Sequence, residues 1–117
     1  MADIKIWHNS RCSKSRNAVK LLEDKSLDFE VREYLKQTPT KEELTLVLSQ
    51  LGITAKELLR TGEAVYKELG LKDETNDDKI IEAMIENPKL IERPIIIKDG
   101  KAVIARPIEN LEELLNQ

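Results

Sequence analysis

The sequence predicts an α/β fold from three features: a strand at the start of the chain, an amphipathic helix directly after it, and a strand hairpin near the end. The first strand covers Ile4 to Trp7, a helix runs from about Lys14 to Lys25, and Leu27 to Tyr34 alternates as a second strand. Asp99-Gly100 lies between two β-prone runs, as in a two-residue hairpin turn. Because a strand–helix–strand crossover is parallel and a hairpin is antiparallel, we expect a mixed four-stranded sheet with flanking helices.

The middle of the chain is predicted to be helical. Thr40 to Glu43 has the pattern of a capping box, and Gly52 ends the helix that follows it. Thr54 to Glu57 is a second such box, which predicts a short helix ending near Arg60 to Gly62. A further helix is expected to start near Asp77.

The last third returns to strands and closes with a helix. Strands are predicted at Ile95 to Ile97 and at Ala102 to Ala105, and a helix from about Glu109 to Leu115. The order β-α-β, helices, β-β-α is the layout of a thioredoxin-like fold with additional helices. We therefore expect one domain over residues 1–117, with a helical insertion at about 38–91.

Length, composition and charge restrict the class of protein. A chain of 117 residues, 40% hydrophobic and 35% charged, has the size and balance of one soluble globular domain. The net charge of −3 argues against a nucleic-acid partner. No apolar run approaches the ~20 residues that span a bilayer, and the start lacks the basic and apolar regions of a signal peptide. We expect a cytoplasmic monomer that does not bind membranes.

Cys12 is the leading candidate for chemistry. It lies in a polar stretch between the first strand and the first helix, where the helix N-terminus and nearby cations such as Arg11 and Lys14 favour a thiolate. An inert buried cysteine is the alternative, but a core cysteine is seldom placed in so polar a stretch. Since the chain has only one cysteine, it holds no internal disulfide and no cysteine-rich zinc site, and we expect no metal.

The residues after Cys12 exclude two classes of thiol enzyme. Ser15 makes the motif C-x-x-S, which cannot close the disulfide of a dithiol C-x-x-C site. Electrons that regenerate an oxidised Cys12 must therefore come from outside the chain. A C-x5-R phosphatase loop would need an arginine at position 18, where this chain has Ala18.

A histidine and two arginines complete the candidate site. His8, four residues before Cys12, could stabilise a thiolate or move a proton. Arg93 and Arg106 both precede proline, which restricts each arginine to extended backbone, and in a thioredoxin-like fold a cis Pro94 would lie against the cysteine. Guanidinium groups suit tetrahedral oxyanions because they donate paired hydrogen bonds. The alternative is that these arginines are solvated at the surface.

The stretch from His8 to Asn17 resembles the signature of the glutaredoxin-linked arsenate reductases, the ArsC family. The similarity covers nearly the whole chain in order. It continues through Tyr34-Leu35, Leu58-Leu59-Arg60, Tyr66-Lys67-Glu68-Leu69-Gly70-Leu71, Glu92-Arg93-Pro94-Ile95 and Ala105-Arg106-Pro107.

The resemblance implies a thioredoxin-like fold with a helical insertion and a reaction in which Cys12 attacks arsenate. His8 would be the histidine associated with the reactive thiolate. The oxyanion would be bound by Arg60, Arg93 and Arg106, and the site supported by Asn9, Ser15, Arg16 and Pro94. With no bound cofactor, glutathione would serve as co-substrate and glutaredoxin would complete the reduction to arsenite.

Two other functions remain open. A regulatory module of the Spx branch, which has the same fold, would bind RNA polymerase, although a redox-switched regulator of that kind would carry C-x-x-C. A thiol oxidoreductase acting on another substrate, such as a glutathione mixed disulfide, would keep Cys12 but would need no arginine cluster.

Overall fold

The computed structural model describes residues 4–116, so the residues before Ile4, on which part of the signal-peptide argument rests, lie outside the described part of the chain. Within that part the chain forms four strands and five α-helices. The strands are β1 (Ile4–Trp7), β2 (Phe29–Arg32), β3 (Ile95–Lys98) and β4 (Lys101–Ile104). The helices are α1 (Ser13–Asp24), α2 (Lys41–Leu51), α3 (Ala64–Glu68), α4 (Asp77–Glu86) and α5 (Glu109–Leu115). Short 3-10 turns cover Lys56–Leu58, Leu71–Asp73 and Pro88–Leu90.

The strands form one mixed sheet in the order β2-β1-β3-β4. β1 pairs with β2 in parallel, whereas β1 with β3 and β3 with β4 are antiparallel. The turn between β3 and β4 has positive φ at both Asp99 (51°) and Gly100 (79°), the conformation that suits the twist of a two-residue hairpin. The predicted mixed four-stranded sheet and its hairpin are confirmed.

The chain separates into two compact units. The first consists of Met1–Gln37 and Arg93–Gln117, of which residues 4–37 and 93–116 are described, and it contains the sheet with α1 and α5. The second, Thr38–Glu92, contains the central helices. That both belong to one domain stays a prediction.

One apolar core holds the sheet unit together. Ile4 and Ile6 of β1 pack with residues of α1, β3 and α5, and each is at most 4% exposed. The other members of this cluster are Ala18, Leu22, Ile96, Ala105, Leu111 and Leu114. Burying a large aliphatic side chain contributes about 1.5–3 kcal/mol, so this cluster fixes β1, and with it the loop that carries Cys12, against α1.

Local capping defines the ends of α2 in the helical unit. The hydroxyl of Thr40 accepts from the backbone N–H of Glu43 at 3.2 Å, and the Glu43 carboxylate accepts from the N–H of Thr40 at 2.9 Å. Gly52 ends the helix with φ at 69°, a left-handed conformation that glycine adopts without steric cost. The predicted capping box and stop are confirmed.

The structure differs from the sequence predictions in three places. The second strand is only Phe29–Arg32, because β2 lies at the sheet edge and pairs only with the four residues of β1. The box at Thr54 forms its bonds to Glu57, yet it opens a 3-10 turn rather than an α-helix. The helix α3 was not predicted, because five residues without a side-chain cap leave little pattern in the sequence.

Candidate active site

The sheet register places three candidate segments at one end of the sheet. Trp7 of β1 pairs with Ile95 of β3, and Ile95 pairs with Ile104 of β4. His8 therefore leaves β1 at the end where Arg93-Pro94 enters β3 and Arg106 follows β4. The adjacency is reinforced by the N–H of Ala105, which donates to the carbonyl of Pro94 at 3.0 Å.

Cys12 is the N-cap residue of α1. Its backbone is extended (φ −97°, ψ 123°), its N–H donates to the carbonyl of Asn9 at 3.0 Å, and its own carbonyl accepts from the N–H of Arg16 at 3.0 Å. The residue is 8% exposed, and its side chain forms no capping bond with the described amides of the helix. The first turn of α1 contains no acidic residue, so the positive end of the helix dipole is not neutralised there.

Ser15 ties the loop before Cys12 to α1. Ser15 is fully buried (0% exposed), and its hydroxyl accepts a hydrogen bond from the backbone N–H of Asn9 at 3.0 Å. The same oxygen lies 2.7 Å from Nδ1 of His8. Within residues 4–116, Nδ1 is the acceptor in reach of this hydroxyl, so we assign the hydrogen of Ser15 to that bond and the ring hydrogen of His8 to Nε2.

The environment of His8 favours its neutral form. Burial lowers the pKa of His8 below its ordinary value of 6.5, and the positive charge of Arg16 lowers it further, while the Glu33 carboxylate opposes them. Only a neutral ring can accept the hydrogen of the Ser15 hydroxyl at Nδ1. His8 is therefore suited to hold a proton at Nε2 near neutral pH.

Two further bonds hold the loop in shape. The guanidinium of Arg16 donates from Nη1 to the carbonyl of Ser10 at 3.0 Å, so this arginine crosses back from α1 to the loop. The side-chain oxygen of Asn9 accepts from the N–H of Arg11 at 3.0 Å. Asn9, Ser15 and Arg16 thus form hydrogen bonds within the loop that carries Cys12 or to it, and their supporting role stays a prediction.

Arg93 and Arg106 differ in their surroundings. The peptide bonds Arg93-Pro94 and Arg106-Pro107 are both cis. Nε of Arg93 is buried and has no hydrogen-bond partner within residues 4–116, whereas the Arg106 side chain is exposed. A buried guanidinium donor without an acceptor is costly, so Nε of Arg93 requires a hydrogen-bond acceptor more than the exposed side chain of Arg106 does.

Arg60 lies in the helical unit, and its convergence with Cys12 stays a prediction. Its guanidinium contacts two carboxylates of that same unit, Glu63 with Oε1 2.6 Å from Nη1 and Glu92 with Oε1 3.6 Å from Nε. Sequence reasoning missed both partners because it assigned no role to carboxylates. The spacing of three residues between Arg60 and Glu63 was the available signal.

Two open depressions adjoin the loop before Cys12. One, of about 430 Å³, and the other, of about 360 Å³, share His8, Ser10, Glu33 and Lys36 in their lining. Glu33 and Lys36 were not predicted as site residues. The signal for Glu33 was its position one residue after β2, beside His8, whose N–H donates to the carbonyl of Arg32 at 2.8 Å.

The described residues offer neither a group of metal ligands nor a membrane-spanning helix. Between residues 4 and 116, no three His, Cys, Asp or Glu side chains group as a metal ion would need. Within the same range, no helix has the length and apolar character needed to cross a bilayer.

The fold and this site define a class: a thioredoxin-like α/β protein with a single cysteine at the start of its first helix. The model of the ArsC family matches residues 7–114, and the chain therefore belongs to the ArsC family. An arsenate reductase of Neisseria meningitidis serogroup A is 44% identical over 117 residues, covering 98% of this chain and 100% of that protein.

Two further relatives are similarly close. Protein YfgD of Escherichia coli strain K12 is 44% identical over 114 residues, covering 96% of each chain. The solved structure of an arsenate reductase from Vibrio cholerae superimposes with a TM-score of 0.92 at 42% identity, covering 96% of this chain and 97% of that one. The predicted thioredoxin-like fold and the family resemblance are both confirmed.

Proposed function

We propose that this protein is an arsenate reductase that works through Cys12, with glutathione and glutaredoxin as external thiol donors. The observation that carries the proposal is the arrangement at one end of the sheet. A cysteine at the N-terminus of α1 follows β1, and Arg93 precedes the neighbouring strand β3 with a buried Nε that has no hydrogen-bond partner among residues 4–116. The similarity to the arsenate reductases of Neisseria meningitidis and Vibrio cholerae supports arsenate as the oxyanion.

The proposed reaction starts with nucleophilic attack. The Cys12 thiolate bonds to arsenic and displaces one oxygen, which leaves as water after protonation. The positive end of the α1 dipole favours the thiolate before attack, and the arginines Arg60, Arg93 and Arg106 bind the remaining arsenate oxygens. Charge-assisted bonds of this kind contribute roughly 1.5–3 kcal/mol each, so loss of one arginine should lower kcat/KM at least tenfold.

External thiols complete the proposed reduction. Arsenic gains two electrons on passing from arsenate to arsenite, and two thiols supply them by leaving as one disulfide. Glutathione first bonds to the Cys12-bound arsenic and displaces a second oxygen, which leaves as water. The glutaredoxin thiolate then attacks the glutathione sulfur, which breaks the bond between arsenic and glutathione, leaves its electron pair on arsenic and forms the mixed disulfide. Water releases arsenite and restores Cys12. Because the chain has a single cysteine, it contains no second thiol for this step.

A coupled assay tests the proposal. Purified protein is combined with arsenate, glutathione, glutaredoxin, glutathione reductase and NADPH, and NADPH oxidation is followed. We expect turnover that requires arsenate, glutathione and glutaredoxin and that is lost in Cys12→Ser, with Ser13→Ala as a neighbouring control.

Different failures have different meanings. Full activity of Cys12→Ser would refute the nucleophile. Absence of arsenate turnover, with Cys12 still alkylated rapidly at neutral pH, would instead favour a thiol oxidoreductase with another substrate. Turnover without glutaredoxin would refute only the assigned donor.

A further inference from the structure

The carboxylate pair around Arg60 has a consequence for substrate affinity. A guanidinium offers two edges for bidentate binding of an oxyanion, one formed by Nη1 with Nη2 and the other by Nε with Nη2. Glu63 contacts Nη1 at 2.6 Å, and Glu92 lies 3.6 Å from Nε. Each edge of Arg60 therefore has one nitrogen already facing a carboxylate.

The backbone fixes Arg60 and Glu92 next to each other. Leu59 and Ile91 form an isolated antiparallel bridge and are 5% and 0% exposed. On either side of this bridge, the N–H of Arg60 donates to the carbonyl of Leu90 at 2.7 Å, and the N–H of Glu92 donates to the carbonyl of Leu58 at 2.9 Å. The pairing of the two side chains thus follows from a buried backbone arrangement.

The Glu63 side chain binds Arg60 and does not cap α3, the helix that it precedes. It is the N-cap residue of α3, yet its side chain forms no capping bond with the described amides of that helix. The carboxylate instead accepts from Arg60 at 2.6 Å, and the side chains of Arg60 and Glu63 are 22% and 26% exposed. Partial burial reduces solvent screening, so the pair is stronger than a fully exposed one.

We propose that Glu63 is a specificity-determining residue that occupies Arg60 until an oxyanion displaces it. This inference rests on the proposed function, in which Arg60 binds arsenate. A bidentate oxyanion competes with Glu63 for Nη1 or with Glu92 for Nε, and the interaction energy that the carboxylate loses is subtracted from the affinity of the oxyanion. Glu63 thereby favours anions of high charge over weakly charged competitors, because only a strong anion replaces a carboxylate.

The test measures arsenate affinity without turnover. Arsenate is titrated calorimetrically into the protein in the absence of any thiol donor, for the wild type, Glu63→Gln, Glu92→Gln and the control Glu68→Gln. The control removes the same charge from an exposed position on α3. We expect Glu63→Gln to bind arsenate about threefold to tenfold more tightly, Glu92→Gln to show a smaller gain, and Glu68→Gln to match the wild type.

A double-mutant cycle separates the specific pair from a general charge effect. Repeating Glu63→Gln in an Arg60→Gln background should produce no gain in affinity. In the coupled assay, Glu63→Gln should lower the KM for arsenate with little change in kcat. Affinity of Glu63→Gln equal to or weaker than that of Glu68→Gln, or a gain that persists without Arg60, would overturn the inference.

The arginine itself distinguishes this inference from the proposed function. If Arg60→Gln binds arsenate as tightly as the wild type, Arg60 is no oxyanion ligand and the inference fails with that assignment. Arsenate turnover by the wild type would still support the reductase. If Arg60→Gln loses affinity and Glu63→Gln gains none, the inference alone fails.

Discussion

Replacing Ser15 with alanine removes the residue that joins the loop before Cys12 to α1. The hydroxyl makes two bonds, one at 2.7 Å to Nδ1 of His8 and one at 3.0 Å to the N–H of Asn9, and the residue is 0% exposed. A buried hydrogen bond contributes about 1 kcal/mol net, so the loss of two predicts a decrease of about 2 kcal/mol in the free energy of unfolding. With a urea m-value of about 2 kcal/mol per M, the unfolding midpoint should fall by about 1 M.

The control for this variant is Ser13→Ala, which removes an exposed hydroxyl from the first position of α1. Its free energy of unfolding should stay within about 0.5 kcal/mol of the wild type. If Ser15→Ala and Ser13→Ala unfold at the same urea concentration, the two hydrogen bonds contribute nothing and the reasoning fails.

Nitrogen NMR gives a second measurement on the same variant. His8 is the only histidine of the chain, so its ring resonances need no assignment. The wild type should show the hydrogen on Nε2 at neutral pH. Because the Ser15 hydroxyl donates to the neutral ring, its removal should raise the pKa of His8 toward the ordinary value. A ring with its hydrogen on Nδ1 in the wild type would refute the assigned network.

Acid should destabilise the protein through His8, because the pKa of His8 is lower in the folded state than in the unfolded state. The contribution of His8 to stability is fully present above about pH 6.5 and is lost as the pH falls through the lowered pKa. Urea unfolding between pH 7.5 and 5, expressed as free energies, should therefore show a steeper loss for the wild type than for His8→Asn, and parallel losses would contradict this. Thr40→Ala, which removes the hydroxyl that accepts from the N–H of Glu43, should lower the free energy of unfolding by about 1 kcal/mol. Ser49→Ala, at an exposed position on the same helix, is its control. Equal urea midpoints of unfolding for the two variants would mean that the box contributes nothing to stability.

The parts of the fold that the sequence predicted depend on local interactions. The box from Thr40 to Glu43 and the turn at Asp99-Gly100 each form within a few residues, so their patterns are visible without tertiary information. The 3-10 turn after Thr54 shows the limit of this reasoning. Its capping bonds form as predicted, but the next residues pair Leu59 with Ile91, and a distant strand-like bridge ends the helix early.

The candidate site divides in the same way. Cys12 and His8 were predicted from their position between a strand and a helix, and their catalytic roles stay predictions. The carboxylates at Glu33, Glu63 and Glu92 were missed because no carboxylate was considered as a site residue. Glu92 in particular meets Arg60 only through pairing between segments about thirty residues apart, and no spacing rule anticipates such a contact.

The hairpin turn at Asp99-Gly100 sets the register of β3 and β4, and with it the relative positions of Arg93 and Arg106 at the far end of these strands. Four residue pairs separate it from the end of the sheet where Arg93 and Arg106 lie, a distance of about 13 Å at 3.3 Å per residue. One inserted turn residue would shift β4 against β3 and turn its side chains to the opposite face. The relative placement of the two arginines would then change although neither residue had been altered. An inserted residue at this turn should therefore reduce activity even in a variant that still folds.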